Sequence, residues 1–179
     1  MLKKLWGHFK TITTHKIKVM KLCFKCGLYK QGLLHDLSKY SWIEFKAGVK
    51  YYQGNRSPIS YEKEVLGYSR GWLHHKGRNK HHFEYWLDNI NGVYIPIKME
   101  KRYVFEMFCD RVIACQIYEK ENYRNDSALN YFLKKGDRHL MHPKTANLLE
   151  KLLTMLKVQG LDTVIQYIRQ EIKTNLQDY

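Results

Sequence analysis

His35 and Asp36 stand side by side after an apolar run, in the string GLLHDLSKYSWIEF at 32–45, with Lys39 three positions beyond the aspartate. A carboxylate buried without a partner costs several kcal/mol or more, so an inward-facing aspartate has to be hydrogen-bonded, paired or bound to a metal. Two more polar groups fall on apolar faces. His15 shares a helical face with Val19, Leu22 and Cys26, and Asp110 lies in the stripe Tyr103, Met107, Asp110, Ala114, Ile117, spaced as one side of a helix. Two imidazoles and two carboxylates form a sensible ligand set for a divalent transition ion (Mn, Fe, Co, Ni or Zn) rather than calcium. One such ion would compensate both buried carboxylates.

Four more histidines, His74, His75, His81 and His82, flank the turn KGRN. Neighbouring helical residues point about 100° apart, so one member of each pair faces a given point unless the helix is ending there. The reading favours His75 and His81, and leaves the others to cap helices or hydrogen-bond in the core. Lys39, Arg78 and Lys76 are the cations that could meet an anionic substrate, because phosphoryl chemistry needs positive charge on the non-bridging oxygens. Arg78 and Lys76 read equally well as solvated turn residues. Glu44, Glu84 and Asp88 could orient a ligating imidazole, although surface acids are commoner. His8, His139 and His142 fall outside the group, and Tyr51, Tyr52, Tyr85 and Trp86 read as core more readily than as a stacking surface for bases.

Helices must position these residues. The pattern predicts one from Thr14 to about Tyr29, a short turn of helix carrying Leu33 to Asp36, and one from the capping box Ser41-Trp42-Ile43-Glu44 to about Gln53. Others run from Ser60 to Leu73, from His81 to about Asp88, and from Ile97 to Lys120. Asp126–Lys135, Pro143–Gln159 and Asp162–Lys173 complete the chain, and NINGVYIP reads as loop. No alternating strand pattern competes. The fold class expected is all-α, a single domain over 1–179 of about seven helices, with the metal-site core at about 15–120 and C-terminal helices at about 126–173.

Composition agrees with one folded domain: 179 residues, 44% hydrophobic, 14% aromatic and only three prolines. The formal charge of +14 suits anionic partners such as nucleotides, nucleic acid or acidic lipid, and part of it is an ordinary solvated surface. No apolar run approaches the roughly 18 residues of a membrane span, and the N-terminus does not read as a signal peptide, so the expected location is cytoplasmic. Of the four cysteines, Cys23 and Cys26 spell a single C-x-x-C and read as apolar helix positions rather than zinc ligands.

The order His15, then His35-Asp36, then Asp110, each on its own helix, resembles the HD-domain superfamily of metal-dependent phosphohydrolases, whose signature is H…HD…D. GLLHDLSK is similar to that superfamily's apolar-HD-x-x-K stretch, with Lys39 at the lysine, and CDRVIA around Asp110 is similar to the helix that supplies its last aspartate. The resemblance covers roughly 15–120. Two-metal members, including cyclic-dinucleotide phosphodiesterases and diiron oxygenases, carry extra histidines in the interval that holds His74, His75, His81 and His82. It therefore implies a second ion, bridged to the first by Asp36 and held by one histidine of each pair. The chain departs from the cyclic-dinucleotide type, with Lys76 where a glutamate follows HH and no Gly-Tyr-Pro. It also resembles, through GLLHDLSKYS and WLHHKGRNKHHFEYW, a bacterial and phage family known only as a domain of unknown function.

The expected activity is hydrolysis of a small anionic phosphate ester by metal-activated water, with Asp36, Lys39 and Arg78 as catalytic residues and one or two divalent ions as cofactor. The rivals are a diiron oxygenase on the same fold and a basic nucleic-acid-binding protein with a structural metal. Tight salt-dependent nucleic-acid binding without turnover would mark the latter.

Overall fold

Helix α6, Lys101–Glu119, is apolar on most of its circumference, with Val104, Phe105, Met107, Phe108, Cys109 and Val112 all buried. Such a helix belongs at the centre of a bundle. In the computed structural model, which describes residues 1–174, α6 is flanked by α1 (Leu2–Lys25) and α8 (Pro143–Gln159). On the α8 side, α7 (Ser127–Lys135) and α9 (Leu161–Thr174) complete an apolar core in which Leu149, Leu152, Leu153 and Ile168 are buried. On the α1 side, α2 (Tyr29–Leu34) folds back on α1, and α3 (Trp42–Lys50) packs against α4 (Pro58–Leu66) and α5 (Arg70–Lys76). Residues 175–179 of the expected 1–179 unit lie outside the described residues.

The chain is mostly helical, as expected, but the described residues form nine α-helices rather than about seven. Helix α1 starts at Leu2 instead of Thr14, because His8 and Ile12 continue the buried face of His15 and Val19 one and two turns upstream. The helix expected over Ser60–Leu73 is two. Pro58 opens α4, Gly67 ends it with φ 78°, and Ser69 caps α5 by accepting from the Trp72 amide. Ser41 does precede α3, yet its hydroxyl makes no cap bond, and Glu44 of the expected capping box is buried.

The absence of strands is also corrected. The residues after His82 form a 3-10 turn, Phe83–Trp86, and then an antiparallel hairpin, β1 (Leu87–Ile90) and β2 (Val93–Pro96). Both strands are largely exposed, so they carry no alternation to read. The turn Asn91-Gly92, with φ 53° and 84°, was the available signal. Among the described residues, no helix is long and apolar enough to cross a membrane. Cys23 and Cys26 are buried in the core, where they and burial push the Cys109 thiol pKa up, and among the described residues no potential metal-ligand cluster includes them.

Candidate metal centre

Helix α2 ends at Leu34, and the chain reverses through Asp36, whose φ of 54° lies in the left-handed region. Aspartate tolerates that conformation better than most residues. Because the helix has stopped, His35 and Asp36 both point inward, and each is 1% exposed. Lys16 on α1 fastens the reversal from outside by donating to the carbonyls of Leu33 (2.8 Å) and His35 (3.1 Å).

Two groups of side chains converge on the two oxygens of Asp36. On one side are His15 of α1, His35 and Asp110 of α6: His15 Nε2 lies 3.5 Å and His35 Nε2 3.3 Å from Asp36 Oδ2, and His15 Nε2 is 2.9 Å from Asp110 Oδ1. On the other are His75 of α5 with His81 and His82 from the turn after it, where His75 Nε2 is 3.2 Å and His81 Nε2 3.4 Å from Asp36 Oδ1. Within each group, potential ligand atoms all lie within 4.8 Å of one another, and Asp36 belongs to both.

The outer nitrogens of the imidazoles are held by carboxylates. Glu106 Oε1 is 2.9 Å from His35 Nδ1 and 3.0 Å from His81 Nδ1, while Glu44 Oε2 is 2.8 Å from His75 Nδ1. A carboxylate on Nδ1 keeps the proton there and leaves the Nε2 lone pair facing inward, the arrangement in which a histidine ligates. Asn79 completes the shell by donating to Ser38 Oγ (2.8 Å) and to the His75 carbonyl (2.8 Å).

Among the described residues, Asp36 Oδ1, His81 Nε2 and His82 Nε2 are buried and make no hydrogen bond of proper geometry, although imidazole nitrogens lie close to Asp36 Oδ1. Buried polar atoms seldom remain unsatisfied. Three of them from one group, all of ligand type, fit a cation held between them. The mixed imidazole and carboxylate donors fit a transition ion better than calcium.

Paired charges oppose burial throughout the centre: despite burial, Asp36 and the other carboxylates hold His35 well above the imidazole range, and despite burial and the neighbouring His35, Asp36 and Glu106 raise His81. Burial alone would raise the pKa of Asp36, but His35, Lys39 and His75 hold it well below the carboxylate range. Burial likewise opposes ionisation of Asp110 and Glu106, and their histidine partners hold both low. Burial and the neighbouring His81 and His75 hold His82 well below the imidazole range, so its nitrogen lone pair stays free. Lys39 contacts Asp36 Oδ2, and despite burial Asp36 and Asp110 push its pKa up, fixing a cation at the edge of the centre.

Of the residues singled out from sequence, His15, His35, Asp36, Asp110, Lys39, His75, His81 and His82 are thus brought together. The expectation that one member of each histidine pair faces the centre fits the first pair only. His74 and His75 lie on α5, and the helix turns His74 aside to Glu44 Oε1, 2.6 Å from its Nδ1. His81 and His82 lie in non-helical chain, so both point inward. Arg78, exposed beyond the end of α5, reaches back to the His74 carbonyl (3.4 Å) and not to the centre. Glu106 was missed in the sequence, although its place four residues before Asp110 on one helix face was a readable signal.

A family model described as a family of unknown function (DUF5662) matches residues 4–155. No curated protein and no solved structure matches the chain. The segment matched by the family model contains every residue of the centre, and the chain belongs to the DUF5662 family.

Proposed function

We propose that the protein is a metal-dependent phosphohydrolase on an HD-like helical domain, in which Asp36 and the residues on either side of it would hold two divalent ions for cleavage of a small phosphate ester. One observation carries the reading: the two oxygens of a single buried aspartate face two separate groups of histidine and carboxylate ligand atoms. His15, His35 and Asp110 would hold one ion, and His75, His81 and His82 the other. Ions bound there supply a coordinated water whose pKa falls from about 15.7 towards about 7, together with positive charge for phosphoryl oxygens.

The chain's own groups have defined parts. Glu106 and Glu44 hold protons on Nδ1 of His35, His81 and His75, so the rings cannot turn away from Asp36 without breaking those contacts, and the ligand nitrogens gain basicity. Lys39 is the cation placed to meet a non-bridging oxygen, since its side chain is 24% exposed while the carboxylate it contacts is 2% exposed. The basic surface raises the local concentration of an anionic ester. Arg78 has no part in this mechanism.

Elemental analysis of the purified wild type beside Asp36→Ala and His75→Ala tests the reading. The wild type is expected to hold two equivalents of Mn, Fe, Co, Ni or Zn, Asp36→Ala none and His75→Ala one. The loaded wild type should release nitrophenol from nitrophenyl phosphate or bis(nitrophenyl) phosphate. Metal content equal in wild type and Asp36→Ala sinks the centre. Two iron equivalents with oxygen uptake and no ester cleavage replace hydrolysis with oxygenation.

A further inference from the structure

Helix α1 turns its buried face, His8, Ile12, His15 and Val19, to the bundle. A second apolar stripe runs up its first turns, about 100° round the helix from that face. Leu2, Trp6 and Phe9 follow at i, i+4 and i+7, and are 79%, 66% and 36% exposed.

The stripe continues beyond α1. Trp6 stacks on Phe9, Phe9 meets the edge of Tyr40, and the Tyr40 hydroxyl donates to Thr13. One turn further on, Lys16 holds the Leu33 carbonyl, and Leu33, Leu34 and Leu37 are each about half exposed. A single exposed leucine needs no explanation, but a contiguous run of this length marks an interaction surface.

The charge around the stripe has one sign. Residues 1–61 contain twelve Lys and Arg against two acids, Asp36 and Glu44, and both acids are buried in the candidate metal centre. Lys3 and Lys10 flank the stripe on α1, and neither acid of these first 61 residues lies at the surface to offset them.

We propose that this surface seats on an anionic lipid bilayer, with Leu2, Trp6, Phe9 and the leucines at 33, 34 and 37 entering the headgroup boundary and the lysines meeting lipid phosphates. Trp, Phe and Leu beside lysines on a helix that cannot span a membrane is the composition of an interfacial helix. Single-stranded nucleic acid is the weaker partner, because the aliphatic members of the stripe offer no stacking face to a base. The surface stands independently of any metal, and Lys39 lies within the turn between Leu37 and Tyr40, so docking sets that edge of the centre against the headgroups.

Flotation with phosphatidylcholine vesicles, with and without phosphatidylglycerol, tests the proposal. Wild type, Leu2→Ala/Trp6→Ala and Lys3→Gln/Lys10→Gln are compared, with circular dichroism checking that each variant keeps its helices. The wild type is expected to float with the anionic vesicles and not with phosphatidylcholine alone. Each folded variant is expected to bind at least about tenfold more weakly. The proposal is overturned if the wild type ignores anionic vesicles, or if Leu2→Ala/Trp6→Ala binds them as well as wild type does. It is equally overturned if the stripe serves something else: Trp6-dependent binding of a random single-stranded oligonucleotide without vesicle binding, or a Trp6-dependent dimer in light scattering without it. Because the readout needs no metal, its failure leaves the metal assay untouched.

Discussion

The two faces of α6 solve the same problem, burial in the middle of a protein, by different means. One presents Phe105, Phe108 and Val112 to the apolar core it shares with α8, and the other presents Glu106 and Asp110 to the histidines around Asp36. The first is held by removal of apolar surface from water, which is non-directional and depends on volume. The second is held by named pairings between charged or ligand atoms, which depend on direction and protonation. Damage to the apolar face should therefore appear in stability and spare the candidate ligands, while damage to the polar face should appear first in affinity for the proposed ions.

The largest effect expected on the apolar side comes from Leu152→Ala, at a fully buried position of α8. Urea unfolding should show a loss of about 2–5 kcal/mol, from the lost transfer energy and the cavity left behind. Metal content per folded chain should be unchanged. If the variant loses metal in proportion to stability, the two faces are one cooperative unit and the comparison breaks.

On the polar side, Glu106→Gln sharpens it. The substitution keeps the size of the side chain but removes the charge that holds the Nδ1 protons of His35 and His81. Metal affinity measured by competition with a chelator should fall roughly 10–100-fold, or about 1.4–2.7 kcal/mol. An unchanged affinity would mean that the imidazoles are oriented by packing alone.

The same contrast explains which features the sequence disclosed. Periodicity announced the apolar stripes of α6 and α8, and polar residues lying within such a stripe, Asp110 and His15, identified themselves by contradicting it. Where the site is made by chain leaving a helix, the one-dimensional signal failed. The inward turn of both His81 and His82 depends on backbone that no periodic pattern describes, as does the reversal at Asp36. Glu44 carried a competing local explanation, the capping box, and tertiary pairing with His74 and His75 overrode it. The split of the helix expected over Ser60–Leu73 was written in Pro58 and Gly67, but apolar spacing across the break masked it.

The smallest effect expected concerns a histidine outside the centre, and it tests whether polarity alone defines the polar region. His8 lies about two turns before His15 on the same buried face, yet its ring is packed between Phe45 and Tyr52, with centroids 5.4 Å and 6.1 Å away. A Cβ on Gly48 would lie within 2.1 Å of its Nε2, so the absence of a side chain at 48 is what admits the ring. Burial, and then the charge of Lys39, lower its pKa from 6.5 to about 4, and Nδ1 has no hydrogen-bond partner. His8 is thus a neutral, apolar-type residue. Since the unfolded chain binds the proton more tightly, its contribution is complete above pH 6.5 and is lost as pH falls towards 4. Over that window the wild type should lose about 2 kcal/mol relative to His8→Phe, a figure reduced for solvent screening. The comparison is made by urea unfolding of both proteins across the range, so that titrations shared by the metal centre cancel. Parallel stability profiles would show that His8 titrates as an ordinary surface histidine, and that its packing against Gly48 excludes neither water nor a proton.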